Sequence, residues 1–318
     1  MPSLGIVFPG QGSQATGMGV EVARAFPASK ETFDRASAVL GWDVLRACET
    51  ATDDELRETR VSQPAIFTAN VAIYRAVETL GLQPLVSAGH SFGEYCSLTI
   101  AGSLKLENAV ALVNERAVAM GAAADLAPGA MAAFIGFAQP QVEEICSQAR
   151  AQSGARVDVA NLNAPVQIVV SGDVAGVNAA CEAARAAGAK RVVMLNVSGA
   201  WHSPLMASAV PKFAKHVEAA PMSVPSFAVI SNVDVEPYSS VEQIRRCLIA
   251  SLSSRVRWHE AAVALAAMRP DIIVECGATR VLAPMMARLD GVESSRVFHV
   301  ADPAGLAKLS AAAESIPA

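Results

Sequence analysis

Residues 84–101 read Pro-Leu-Val-Ser-Ala-Gly-His-Ser-Phe-Gly-Glu-Tyr-Cys-Ser-Leu-Thr-Ile-Ala. Residues 84–88 form a short apolar run and 94–101 carry a helical pattern, which predicts strand, sharp turn and helix. Between them, Gly89-His90-Ser91-Phe92-Gly93 fits G-x-S-x-G. That context is what a nucleophile elbow requires: the turn lifts the serine clear of the backbone, and its flanking positions leave no room for a Cβ. The helix N-terminus beyond Ser91 stabilises negative charge developing there. An ordinary strand-helix turn with a capping serine fits the same five residues.

Outward from this stretch the alternation continues. Residues 4–8 read as a buried strand ended by Pro9-Gly10, and 21–38 as a helix. Asp53-Asp54-Glu55 places acid where a helix begins, with Thr52 as N-cap. Residues 64–80 form a long apolar helix ended by Gly81, and 105–120 another. Strands alternating with helices imply an α/β fold whose parallel sheet is covered on both faces. After Ala127-Pro128-Gly129 the order changes: strand 131–137, helix 140–152, strands 156–161 and 167–171, helix 175–187, strand 190–197. This is the β-α-β-β-α-β order of a ferredoxin-like unit. It predicts a small domain, 127–198, inserted into a body formed by 1–126 and 199–318. The α/β pattern then resumes with a helix opened by Ser203-Pro204, strands 227–231 and 271–275, helices 241–252 and 257–268, and a closing helix 306–313.

Composition narrows the function classes. The 318 residues are 52% hydrophobic and 17% charged with net charge -5, which excludes a disordered chain or a coiled coil. A pI near 5.6 argues against sequence-independent nucleic-acid binding. No stretch of about 20 residues is apolar without charge or proline, so no membrane span is expected, and residues 1–10 do not read as a signal peptide. Cys48, Cys96, Cys146, Cys181, Cys247 and Cys276 are dispersed with no CxxC, and read as reduced, buried thiols of a cytoplasmic protein.

A serine nucleophile needs a base. His90 adjoins Ser91 and projects elsewhere. His216 and His259 sit among charged helical neighbours and read as solvated, and His299 lies in an apolar run as a core residue. His202 stands where the chain returns from 127–198 to the body, so it is the best candidate. Arg116 falls on the apolar face that Ala109, Leu112, Val113 and Met120 define at helical spacing. A guanidinium there needs a partner: a structural carboxylate, which position alone favours, or a substrate carboxylate held by two hydrogen bonds. Gly10-Gln11-Gly12-Ser13-Gln14-Ala15 fits only the loose dinucleotide pattern G-x-G-x-x-A, without its acidic partner at a strand end, and lacks GK[ST]. Such a turn can instead bring backbone N–H groups to an oxyanion.

Phe-Pro-Gly-Gln-Gly-Ser-Gln at 8–14, Gln-Pro-Ala-Ile-Phe at 63–67, the motif around Ser91, Arg116, Asn-Ala-Pro-Val-Gln-Ile-Val-Val-Ser-Gly at 163–172 and His-Ser-Pro-Leu-Met at 202–206 occur in order. Together they resemble the malonyl-CoA:acyl-carrier-protein transacylase family and the acyltransferase domains of polyketide synthases, over nearly the whole chain. The resemblance implies an α/β-hydrolase-like large domain with a ferredoxin-like insertion. It implies ping-pong transfer of malonyl from coenzyme A to the phosphopantetheine thiol of an acyl carrier protein. Ser91 is then the nucleophile and His202 the general base. The backbone N–H groups of Gln11 and Phe92 hold the oxyanion, Arg116 holds the malonyl carboxylate, and His90 joins the substrate-binding residues. No metal or bound cofactor is called for, because a thioester is already activated. Partners are coenzyme A thioester and carrier protein, with no nucleic acid and no membrane. The chain boundaries suggest a monomer acting in trans on a fatty-acid or polyketide carrier.

Trp201 stands where malonyl-selective relatives usually carry Phe, and with Phe92 it is expected to narrow the space beside the malonyl α-carbon. One methyl of crowding is worth about 1–3 kcal/mol, so malonyl selectivity is expected to be partial. Two stretches depart from the family pattern. Ser251-Leu252-Ser253-Ser254-Arg255-Val256-Arg257-Trp258 has Ser for the Gln whose backbone carbonyl orients the catalytic His, and Arg for Pro. Gly277-Ala278-Thr279-Arg280 replaces a Gly-Pro-Gly turn. Arg255, Arg257 and Arg280 are either phosphate or carrier contacts or solvated charges. The rival readings are an acyl hydrolase using the same Ser and His, against which Arg116 argues, and a non-catalytic docking subunit.

Overall fold

The computed structural model describes residues 2–52, 54–197 and 199–316. Asp53, within the predicted helix start, and Ser198, at the predicted end of the insertion, lie outside the described residues. The strands are β1 (Ser3–Phe8), β2 (Gln83–Gly89), β3 (Gly129–Ile135), β4 (Val157–Ala164), β5 (Gln167–Asp173), β6 (Arg191–Met194), β7 (Ala228–Ile230), β8 (Ile272–Cys276) and β9 (Val297–Val300). They form two sheets. One is parallel, in the order β7-β2-β1-β8-β9; the other is antiparallel, in the order β4-β5-β3-β6.

The parallel sheet is buried on both faces. In β1, Leu4, Ile6 and Phe8 enter the apolar layer that holds Phe33 and Phe67, whereas Val7 enters the opposite layer with Trp258 and Leu265. This two-residue alternation sends successive side chains to opposite faces. The antiparallel sheet splits in the same way. Ala132, Phe134, Val170 and Val157 pack under the helices Gln139–Ser153 and Val174–Ala186. Met131, Ala133 and Val169 belong instead to the main core. The antiparallel sheet is tied to the segment before the helix Trp258–Ala267, where Val256 N–H donates to Ala160 O at 2.8 Å and Leu162 N–H donates to Val256 O at 2.9 Å.

Several predicted elements shift. The helix expected over 21–38 is two, Val20–Ala25 and Pro27–Leu40, because Phe26 is extended and Pro27 restarts the helix at its first turn. Thr52 bonds Glu55 but opens only the 3-10 turn Glu55–Arg57, and the long helix is Thr59–Glu78. The helix carrying Arg116 runs on to Leu126. Ser203 caps a 3-10 turn, Pro204–Ser208, before the helix Val210–Ala219. Strand β9 was not expected. His299 within it is half-buried rather than core, bonded through Nε2 to Gly277 O at 2.8 Å. All six cysteines are free and buried. Among the described residues, no helix is long and apolar enough to cross a membrane.

Candidate active site

Parallel pairing places Phe8 opposite Gly89, so the turns after β1 and β2 emerge side by side at the carboxyl edge of the sheet. Ligands in open α/β sheets bind at this edge. The elbow is tight. A Cβ on Gly89 would lie 1.9 Å from the Gly93 carbonyl carbon, and one on Gly93 would lie 2.4 Å from Phe8 O. Ser91 occupies the left-handed region at φ 55, a conformation that costs a non-glycine residue about 1–3 kcal/mol. The helix Gly93–Ile100 follows directly.

His202 also has a positive φ, 58, and is 5% exposed. Its Nδ1 lies 2.9 Å from the backbone carbonyl of Ser251. A carbonyl only accepts, so Nδ1 carries the hydrogen and Nε2 is left bare. Ser91 Oγ, 2.7 Å from Nε2, donates to it. Burial, and after it the Arg116 charge, drive the His202 pKa down to about 3. The imidazole is thus neutral and able to take a proton, while a backbone carbonyl, rather than a carboxylate, orients it. Exchanging Gln for Ser at 251 leaves that carbonyl in reach.

Arg116 is 1% exposed. Its Nη1 donates to Gln63 Oε1 at 2.7 Å, its Nη2 to Ser91 Oγ at 3.1 Å, and its Nε has no partner among the described residues. The Phe92 ring lies 5.9 Å from the guanidinium carbon. Glu94 acts on Arg116 only through space, and burial presses the guanidinium pKa downward. Among the described residues no carboxylate pairs with it, so the structural partner that position alone favoured is not there. What remains is a buried cation beside Ser91 with unused donor capacity, the arrangement that draws an incoming carboxylate.

Among the described residues the backbone N–H groups of Gln11 and Phe92 are paired with no backbone carbonyl. The Gln11 side chain is held by Thr59 Oγ1 at 3.1 Å. His90 Nε2 lies 2.9 Å from Asn163 Oδ1, and its ring sits 5.8 Å from that of Trp258. Ser91, His202, Arg116, His90, Gln11 and Trp201 all border one cavity of about 460 Å³. Phe92 does not. Its side chain is buried beneath Arg116 and does not reach the cavity that Trp201 borders. Trp201, 4% exposed, does border the cavity.

Of the three outlying arginines, Arg255 pairs with Glu143 at 2.9 Å, and Arg257 pairs with Glu260 while also donating to Val233 O at 3.1 Å. Both are thereby occupied. Arg280 is exposed. His216 lies 3.3 Å from Glu115, away from the cavity. Sequence reasoning missed Gln63, Asn161, Asn163 and Met131. Gln63 and Asn163 stood inside quoted motifs, but nothing local marked their side chains as inward. Asn161, Val169 and Ala133 stand side by side across β4, β5 and β3, a register that no local pattern reveals.

Residues 6–308 match the acyl transferase domain family. The malonyl CoA-acyl carrier protein transacylase of Escherichia coli (strain K12) is 36% identical over 308 residues, which are 96% of this chain and 98% of that protein. The solved transacylase of the same name from Coxiella burnetii superposes with a TM-score of 0.92 at 37% identity, covering 98% of both chains. A malonyl-transacylase solved with its type II polyketide-synthase acyl-carrier protein superposes with a TM-score of 0.91 at 36% identity, covering 97% of this chain and 99% of that one. With an elbow serine bonded to a histidine beside a buried arginine, and this likeness from end to end, the chain belongs to the acyl transferase domain family.

Proposed function

We propose that this protein transfers malonyl from malonyl-CoA to the phosphopantetheine thiol of an acyl carrier protein through an acyl-serine on Ser91. The observation that carries this reading is Arg116: a buried guanidinium, without a carboxylate partner among the described residues, 3.1 Å from the Ser91 oxygen. An acyl group that ends in a carboxylate completes the site, and an uncharged one leaves the cation unpaired.

The steps follow from the geometry. Ser91 Oγ attacks the thioester carbon as its proton passes to His202 Nε2. The carbonyl oxygen, now negative, takes the N–H groups of Gln11 and Phe92 and the field of the helix Gly93–Ile100. The C–S bond breaks, and the proton on His202 goes to the departing coenzyme A sulfur. In the second half, the carrier thiol gives its proton to His202 and attacks the acyl-serine. The C–O bond breaks and Ser91 recovers the proton. No cofactor enters this scheme. Trp201 closes the space beside the acyl α-carbon, and His90, fixed by Asn163, lines the substrate path.

The architecture is read as an α/β-hydrolase-like body, 1–126 and 199–318, interrupted by a ferredoxin-like insertion, 127–198. The strand order β4-β5-β3-β6 with two helices on one face supports the latter. The protein is taken to act as a monomer. Six buried free thiols support a reducing compartment, the cytoplasm.

Intact-mass spectrometry after mixing with malonyl-CoA and then a holo carrier protein tests the reading. Malonyl is expected on Ser91 and then on the carrier thiol. Free malonate as the main product would favour hydrolysis. A Ser91→Ala protein that still charges the carrier would remove the acyl-serine altogether.

A further inference from the structure

The strained turn at Ser91 is held by a residue from another part of the chain. Asn232 is 2% exposed and lies just beyond β7. Its Oδ1 accepts the Ser91 N–H at 3.2 Å, and its Nδ2 donates to Gly89 O at 2.7 Å. One primary amide therefore spans the elbow from its first residue to its nucleophile. The amide itself is anchored: the Asn232 backbone N–H donates to Glu94 Oε1 at 3.0 Å, and Tyr238 OH donates to the same oxygen at 2.7 Å. Glu94 lies in the first turn of the helix that follows Ser91, so the loop is closed upon the elbow from both sides. Asn232 O also accepts the Arg257 N–H at 3.2 Å. That connects it to the segment whose Ser251 carbonyl holds His202.

We propose that Asn232 is a positioning residue that sets the Ser91–His202 geometry, by fixing the left-handed Ser91 backbone and tying the elbow to the segment that orients the base. Only an amide suits the place. It must accept from one backbone group and donate to another, and a carboxylate of the same shape would set an oxygen against Gly89 O. The Ser91 N–H is also engaged here, which leaves the oxyanion to the Gln11 and Phe92 N–H groups. The inference rests on Ser91 as the nucleophile but not on the identity of the acyl group.

The test is Asn232→Asp, of equal size, measured in two ways on the intact protein. In malonyl transfer, kcat per active site is expected to fall at least 30-fold while KM for malonyl-CoA stays within threefold. Labelling of Ser91 by a fluorophosphonate probe, which reports nucleophile geometry whatever the natural acyl group, is expected to slow in proportion. A labelling rate within threefold of the parent overturns the proposal. So does a loss confined to the fraction of titratable sites, with the remainder reacting at the parent rate, because that is only a folding defect. If the Asp variant does not fold, Asn232→Ser is measured against the same limits. If the parent labels Ser91 but does not transfer malonyl, the reading of the function fails while the comparison of labelling rates still decides the role of Asn232.

Discussion

On the parallel-sheet side, Gln11 and Ser91 border the cavity from turns at the ends of β1 and β2, with Phe92 directly after Ser91. On the antiparallel side, Met131, Ala133, Asn161 and Val169 stand inside strands and present side chains. The first region works through backbone geometry: tight glycines, a left-handed serine, N–H groups paired with no backbone carbonyl. The second works through shape, since strand alternation brings small and apolar side chains to one face. His202 and Trp201 lie on the segment that follows β6, and both border the cavity. The roles proposed for them divide rate from choice of substrate. Damage on the elbow side should slow every acyl group alike, and damage to the wall should change which acyl group is preferred.

The largest expected effect breaks the first region. His202→Ala should lower transfer of any acyl group by about 10³-fold, within the range of a lost general base. Steady-state assay with malonyl-CoA and a second thioester checks this, and unequal losses would blur the division. The next effect addresses the choice of acyl group. Trp201→Ala should raise methylmalonyl transfer relative to malonyl by about 10-fold, near the lower end of what one crowded methyl is worth. A competition assay with both thioesters reads the ratio, and an unchanged ratio would mean that Trp201 only packs against Gly199.

A smaller effect concerns pH. A histidine with an ordinary pKa near 6.5 would lose activity as a base about 30-fold between pH 7.5 and pH 5. His202 is held at about 3 by burial and the Arg116 charge. It therefore stays unprotonated through that window, and kcat/KM for acylation, which reports the free enzyme, should stay within about threefold. An inflection near 6.5 would place the base elsewhere or show it to be solvated. The smallest effect is at Ser251. Because only its backbone carbonyl reaches His202, Ser251→Ala should leave kcat within about twofold, a change worth no more than half a kcal/mol.

These two regions were not equally legible in the sequence. The elbow was, because its requirements are local: glycines flanking a serine between a strand and a helix. His202 was singled out by its place at the return from the predicted insertion, 127–198, and its Nε2 lies 2.7 Å from Ser91 Oγ. Arg116 stood out as a cation on an apolar helical face, but whether its partner was structural could not be read from one helix; only the packed neighbourhood, with Gln63 on one side and Ser91 on the other, answers that. Asn161 and Asn232 were invisible, because the first depends on the register of β4 against β5 and the second on bonds to an elbow 141 positions away in the chain. Strand β9 is four residues long and ends on Val300, too short for periodicity to declare. The break at Phe26 was marked by Pro27, yet helical spacing runs through it and masks the restart.

The role proposed for Arg116, receiving the acyl carboxylate, is tested by acylation of Ser91 followed by intact-mass spectrometry, in the parent and in Arg116→Met, with malonyl-CoA and acetyl-CoA side by side. Loss of a buried charge partner is worth about 2–5 kcal/mol, so malonylation should slow at least about 30-fold. Acetylation, which has no carboxylate to lose, should hold or rise. Equal slowing of both acyl groups, or malonylation at the parent rate, would contradict the claim.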